Sequence, residues 1–145
     1  SFTQNGYNIK GYRFNYPAPQ RVLILHGFES SCRNFDRYIL PLVRKGYEVL
    51  AFDAPAHGRS TGKQINAVLY KDMVLEIIKQ YGPVESFMAH SFGGLAITLA
   101  LEEIMHNENY RVALVAPAGS IGPLLVMTPT GQPSILKWPH TVALP

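Results

Sequence analysis

At 145 residues the chain is long enough to bury one real core and too short for two domains of ordinary size. Hydrophobic residues make up 47% and charged residues 16%, which excludes a disordered chain, and the net charge of +3 is scattered with no run of three basic residues, which argues against a nucleic-acid surface. A single cysteine, Cys32, excludes an internal disulfide and a cysteine-based metal site, no apolar stretch approaches the roughly 20 residues of a membrane span, and no basic-then-apolar leader opens the sequence, so a cytoplasmic protein without metal or cofactor is expected.

In chain order, residues 7–16 alternate aromatic or aliphatic with polar side chains, the pattern of a half-exposed strand, and Pro17 and Pro19 end it. Arg21 to Leu25 is a continuous β-branched and leucine run, as in a strand buried on both faces, and it empties into the polar loop His26-Gly27-Phe28-Glu29-Ser30-Ser31. A helix is predicted from about Arg33 to Lys45, stopped by Gly46, with Pro41 predicting a kink or a late start. Tyr47 to Phe52 is the next strand, followed by a breaker-rich loop from Asp53 to Ser60. A second helix is predicted over Ile65–Tyr81, with Leu69, Met73 and Ile77 on one row, Val68 and Leu75 on an adjacent one, and Gly82-Pro83 closing it.

The next stretch, Val84 to Gly94, runs from a short apolar strand through a serine into a helical pattern. That places Ser91 at the apex of a sharp strand–turn–helix, and close packing of the two arms requires small residues two before and two after it. Those positions hold Ala89 and Gly93, and Gly93 is expected to accept nothing larger than alanine. The same residues would also serve a purely structural Ser-Gly-Gly turn. The helix from Phe92 to about His106 carries Leu95, Leu99 and Ile104 with the small residues Gly94, Ala96 and Ala100, which let a helix lie close to a sheet. Arg111 to Ala116 is a further buried strand. Strands alternating with helices imply an α/β fold with parallel pairing and right-handed crossovers, and the loops at His26, Asp53 and Ser91 should then share the carboxyl edge of one sheet.

His26-Gly27 after the first buried strand, Asp53-x-x-x-His57-Gly58-Arg59-Ser60 after the second, and Ala89-His90-Ser91-Phe92-Gly93-Gly94 after the third resemble, in order, the motifs of the α/β-hydrolase fold family. The resemblance covers roughly residues 7–118. Ala56 stands where the family often has glycine. The resemblance implies a mostly parallel sheet flanked by helices, a serine hydrolase acting on a small-molecule acyl substrate, and Ser91 as nucleophile. It implies further that the backbone N–H groups of Phe92 and Phe28 hold the oxyanion. His26 and His57 then serve their loops rather than proton transfer, and the His90 side chain points away from the hydroxyl. His106 lies near a helix end, where a partial negative charge suits it.

In that family the acid and the histidine follow the serine. Here no Asp or Glu follows Glu108, Lys137 is the sole charge after Arg111, and the only later histidine is His140. The sequence divides into a core over 1–118 and a Pro-rich tail over 119–145, read as the start of a cap region or an aberrant terminus, the chain being truncated after the strand that follows the nucleophile helix. A third reading has Leu124 to Met127 covering the last strand's open edge. If that edge stays open, Arg111 to Ala116 offers a route to self-association. The alternative function is a catalytically inactive remnant or small-molecule-binding module. A dinucleotide- or phosphate-binding domain is disfavoured, because no G-x-G-x-x-G or Walker-type Gly-Lys-Ser/Thr follows any strand.

Overall fold

The structure is a computed structural model that describes residues 1–115, 125–127 and 133–135. Strands β1 (Phe2–Gln4) and β2 (Tyr7–Ile9) form a small antiparallel pair, and β3 (Gly11–Phe14) begins the main sheet. Then follow β4 (Arg21–Leu25), a 3₁₀ turn (Cys32–Phe35), α1 (Asp36–Arg44), β5 (Glu48–Phe52), α2 (Ala67–Tyr81), β6 (Ser86–His90), α3 (Phe92–Glu103) and β7 (Arg111–Val115). The short strands β8 (Leu125–Met127) and β9 (Pro133–Ile135) come last. The main sheet has the order β3-β5-β4-β6-β7-β8-β9. Its centre, β5, β4, β6 and β7, is parallel, while β3, β8 and β9 add antiparallel flanks.

Successive residues of the central strands face opposite sides, so continuous apolar runs bury both faces. Val22, Ile24, Val49, Ala51 and Met88 form one core with Phe35, Ile39 and Leu42 of the α1 side. Leu23, Leu25, Leu50, Phe87 and Ala89 form the other, against Tyr70, Met73, Val74 and Ile77 of α2 and Ala96, Ile97 and Ala100 of α3. Each fully buried aliphatic or aromatic side chain contributes about 1.5–3 kcal/mol of transfer free energy, so both layers are needed. At the amino-terminal end of the sheet the buried carboxylate of Glu48 accepts hydrogen bonds from Arg13 (2.7 Å) and Arg21 (3.1 Å), tying β3, β5 and β4 together. Burial alone would raise its pKa; the two guanidinium groups outweigh that and hold it below the usual carboxylate range.

Several expectations shift. The first helix starts late, as a 3₁₀ turn passing into α1 with Pro41 inside it. The phase of α2 differs: Val68 is exposed and Leu69 half-buried, and the buried row is Tyr70, Met73, Val74 and Ile77. Asn66 sets that phase as N-cap, its side chain accepting from Leu69 N (2.8 Å). On α3 the small residues are buried as expected but Leu95 is exposed, and the helix ends at Glu103, so His106 lies beyond it. Arg111–Val115 is not the open edge of the sheet. Leu125–Met127 pairs antiparallel along it, Val112 opposite Met127 and Leu114 opposite Leu125, as the reading of Leu124 to Met127 as an edge cover has it. Apart from β8 and β9, residues 119–145, including His140, lie outside the described residues. Among the described residues no helix is long and apolar enough to cross a membrane.

Candidate active site

Strands β4, β5 and β6 are parallel neighbours, so the loops that begin at His26, Asp53 and Ser91 meet at one edge of the sheet. Ser91 is exposed and adopts φ 50°, ψ −114°, a conformation that costs a non-glycine residue about 1–3 kcal/mol. The cause is local. The chain must leave β6 and enter α3 within one residue, and Gly94 N–H closes the turn on Ser91 O (2.9 Å).

Two glycines lock this turn against the loop after β4. A Cβ on Gly93 would lie 2.5 Å from Leu25 O and 2.8 Å from His26 O, so even alanine collides with backbone there, a tighter fit than the sequence suggests. A Cβ on Gly27 would lie 2.7 Å from His90 Nδ1. Gly94 faces Leu114 of β7 at 3.1 Å by the same measure. The interlock holds Phe28 and Phe92, the two residues whose N–H groups were expected at the oxyanion, on either side of one turn. Their rings meet edge to face, centroids 6.5 Å apart and planes at 90°. Among the described residues neither N–H donates an internal hydrogen bond. Phe92 is half-buried against Tyr70, while Phe28 is 61% exposed.

The histidines are fixed by their bonds. Ala54 N–H donates to His26 Nε2 (2.8 Å), so the proton of this neutral ring sits on Nδ1, which donates to Gly27 O (2.8 Å). Burial pushes the His26 pKa below its ordinary value. His57 is held in the same way: Nε2 accepts from Glu29 N (3.1 Å) and Nδ1 donates to Pro55 O (2.9 Å). Both histidines therefore staple loops. The His90 side chain lies on the α1-facing side of β6 with Met88, and its buried Nε2 has no hydrogen-bond partner among the described residues. Among the described residues His106 bonds only the nearby Ile104 carbonyl (3.1 Å). No described histidine is hydrogen-bonded to the Ser91 hydroxyl.

Asp53 anchors the middle loop. Its buried carboxylate accepts from Cys32 N (2.9 Å) and Arg59 N (2.9 Å), and its carbonyl accepts from Ser60 Oγ (2.7 Å). Gly58, at φ +52°, leaves no room for a side chain beside that carboxylate. The sequence did not single out Tyr70, yet its buried hydroxyl donates to His26 O (2.8 Å) and so steadies the loop that carries Phe28. The available signal was its i, i+3, i+4, i+7 spacing with Met73, Val74 and Ile77.

Two predictions arise here. Ala56 adopts φ +62°, where glycine pays no steric penalty, so Ala56→Gly is expected to stabilise the protein by about 0.5–1 kcal/mol, read as a higher urea midpoint. Because the His26 pKa is lowered on folding, the unfolded chain binds the proton more readily. The stability that neutral His26 contributes is complete above its ordinary value of 6.5 and falls as pH drops through and below it. Urea midpoints from pH 8 to 5 should decline, and His26→Gln should show a smaller decline over the same range.

Comparison with known proteins places this geometry. The family described as serine aminopeptidase, S33, matches residues 17–144. A Bacillus subtilis protein described as uncharacterized hydrolase YugF is 29% identical over 107 residues, covering 70% of this chain and 39% of that protein. A probable serine hydrolase of Drosophila melanogaster is 30% identical over 81 residues, covering 52% and 24%. Among solved structures, a monoacylglycerol lipase of Paleococcus ferrophilus superposes with a TM-score of 0.61 at 27% identity, covering 66% of this chain and 38% of that one. The chain thus spans well under half the length of these relatives.

Proposed function

The chain belongs to the serine aminopeptidase S33 family of α/β hydrolases, and from that membership we propose that it is a serine hydrolase that cleaves an ester or other acyl substrate through a covalent acyl-Ser91 intermediate. The observation that carries this reading is Ser91 itself, exposed on a strained turn between a buried strand and a helix. In the proposed reaction Ser91 Oγ attacks the acyl carbon while a base takes its proton. The carbonyl oxygen, now an oxyanion, accepts from the N–H groups of Phe28 and Phe92. Collapse expels the leaving alcohol or amine, which takes up that proton, and water then releases the acid from Ser91 by the same route in reverse order. Residues 1–118 supply nucleophile and oxyanion donors in this account. The acid and the histidine belong to segments that follow in a whole protein of this family. A cytoplasmic location and a small-molecule acyl substrate are part of the same proposal, the similarity to a monoacylglycerol lipase favouring an ester.

One observation favours a second reading for the 145-residue chain by itself. With no described histidine on the Ser91 hydroxyl, this reading takes it as a binding module that keeps the turn and has no relay among the described residues. Pre-steady-state hydrolysis of p-nitrophenyl acetate separates the two. A whole protein with a later Asp or Glu and His is expected to release a burst of about one nitrophenolate per chain, the mark of an accumulating acyl-enzyme. Release no faster than in buffer alone, with no burst, would favour the binding module.

A further inference from the structure

A cavity of about 340 Å³ lies between α1 and the outer strand β3, and no residue of the Ser91 turn lines it. It falls within the range of about 300–1,000 Å³ typical of small-molecule sites. Its floor is apolar and flat: Tyr12 and Phe14, ring centroids 6.3 Å apart and planes inclined at 26°, beside Ala51. Ile39 and Cys32 form the helix-side wall. Two arginines, Arg33 and Arg59, border it with one carboxylate, Asp36, and among the described residues none of the three forms a salt bridge. The frame is rigid where it matters, since Asp53 fixes the backbone of Cys32 on the wall and of Arg59 at the end through its two carboxylate oxygens.

We propose that this cavity binds a small carboxylate with a flat apolar body, the carboxylate on Arg33 and Arg59 and the body on Tyr12 and Phe14. Guanidinium groups present paired N–H donors that match a carboxylate, and the aromatic floor rewards an apolar body that inorganic anions lack. Asp36 at the border selects against dianions. The Cys32 thiol, pushed up to about 12 by burial and by Asp53, stays neutral at physiological pH and adds no repulsion. The proposal is independent of catalysis at Ser91.

Benzoate is the probe, titrated calorimetrically into the full chain, with benzamide and benzylamine as neutral and cationic counterparts. Saturable benzoate binding is expected, with benzamide weaker by about tenfold and benzylamine without binding. Arg33→Gln and Arg59→Gln, both at exposed side chains, should each weaken benzoate about tenfold, while Arg37→Gln, on α1 but outside the cavity, should leave it unchanged. Far-UV circular dichroism checks that each variant is folded. Absence of saturation, equal affinity for benzamide, or an equal loss in all three arginine variants would overturn the proposal, the last by showing only a general charge effect.

Discussion

Replacing Ser91 by alanine is expected to reduce turnover of an activated ester by about 10⁴–10⁶-fold in the whole protein, with no loss of stability. The size follows from the role. Without Oγ no acyl-enzyme forms, and what remains is binding and two backbone donors acting on direct attack by water. Stability should hold or rise, because the serine hydroxyl makes no internal hydrogen bond among the described residues and alanine keeps the same backbone. A smaller effect, below about tenfold, would place the nucleophile elsewhere. His26→Gln and His57→Gln should act differently, through the loops they staple, and should show in melting as much as in rate.

Gly93→Val is expected to cost about 3 kcal/mol or more, lowering the melting temperature by about 10 °C. The atoms a side chain would meet are the carbonyl oxygens of Leu25 and His26, which belong to the backbone of β4 and its loop and cannot rotate away. Relief requires α3 to move off the sheet or the loop to shift. The first exposes Ala96, Ile97 and Ala100; the second displaces Phe28. Gly93→Ala should fall between wild type and valine, because its single methyl already stands 2.5 Å from Leu25 O. An unchanged melting temperature for the valine variant would show that the turn is looser than described.

The three loops were legible in the sequence because each is written in residues with few other uses: glycines where two backbones touch, and a serine between small neighbours at the end of an apolar run. The parallel sheet was legible for a related reason, since short apolar runs such as Val22–Leu25 and Val49–Phe52, each followed by a polar or breaker-rich loop, fit a strand buried on both faces. The phase of α2 was not. Val68 and Leu69 are as apolar as the true buried row, and the choice between rows is made by the cap at Asn66 and by a hydrogen bond from Tyr70 to a carbonyl 44 positions away. Gly27 shows the same limit. Its need for a bare Cα comes from the ring of His90, a partner that only the pairing of β4 with β6 brings near. The cover over β7 was legible only as one of three readings of the tail, because three-residue strands such as Leu125–Met127 carry too little periodicity to announce themselves.

The central claim is that Ser91 is the nucleophile and needs a base from a later segment of the protein. A fluorophosphonate probe tests it directly, since an activated serine displaces fluoride and retains the phosphonyl group on Oγ. The adduct is located by intact mass and peptide mapping. A longer form of the protein carrying a later Asp or Glu and His is expected to take up one label per chain, on the peptide containing Ser91, and its Ser91→Ala variant none. The 145-residue chain should remain unlabelled. Labelling of the Ser91→Ala variant, or an adduct on any other residue, would contradict the assignment of the nucleophile, and stoichiometric labelling of the 145-residue chain would contradict the need for a later base.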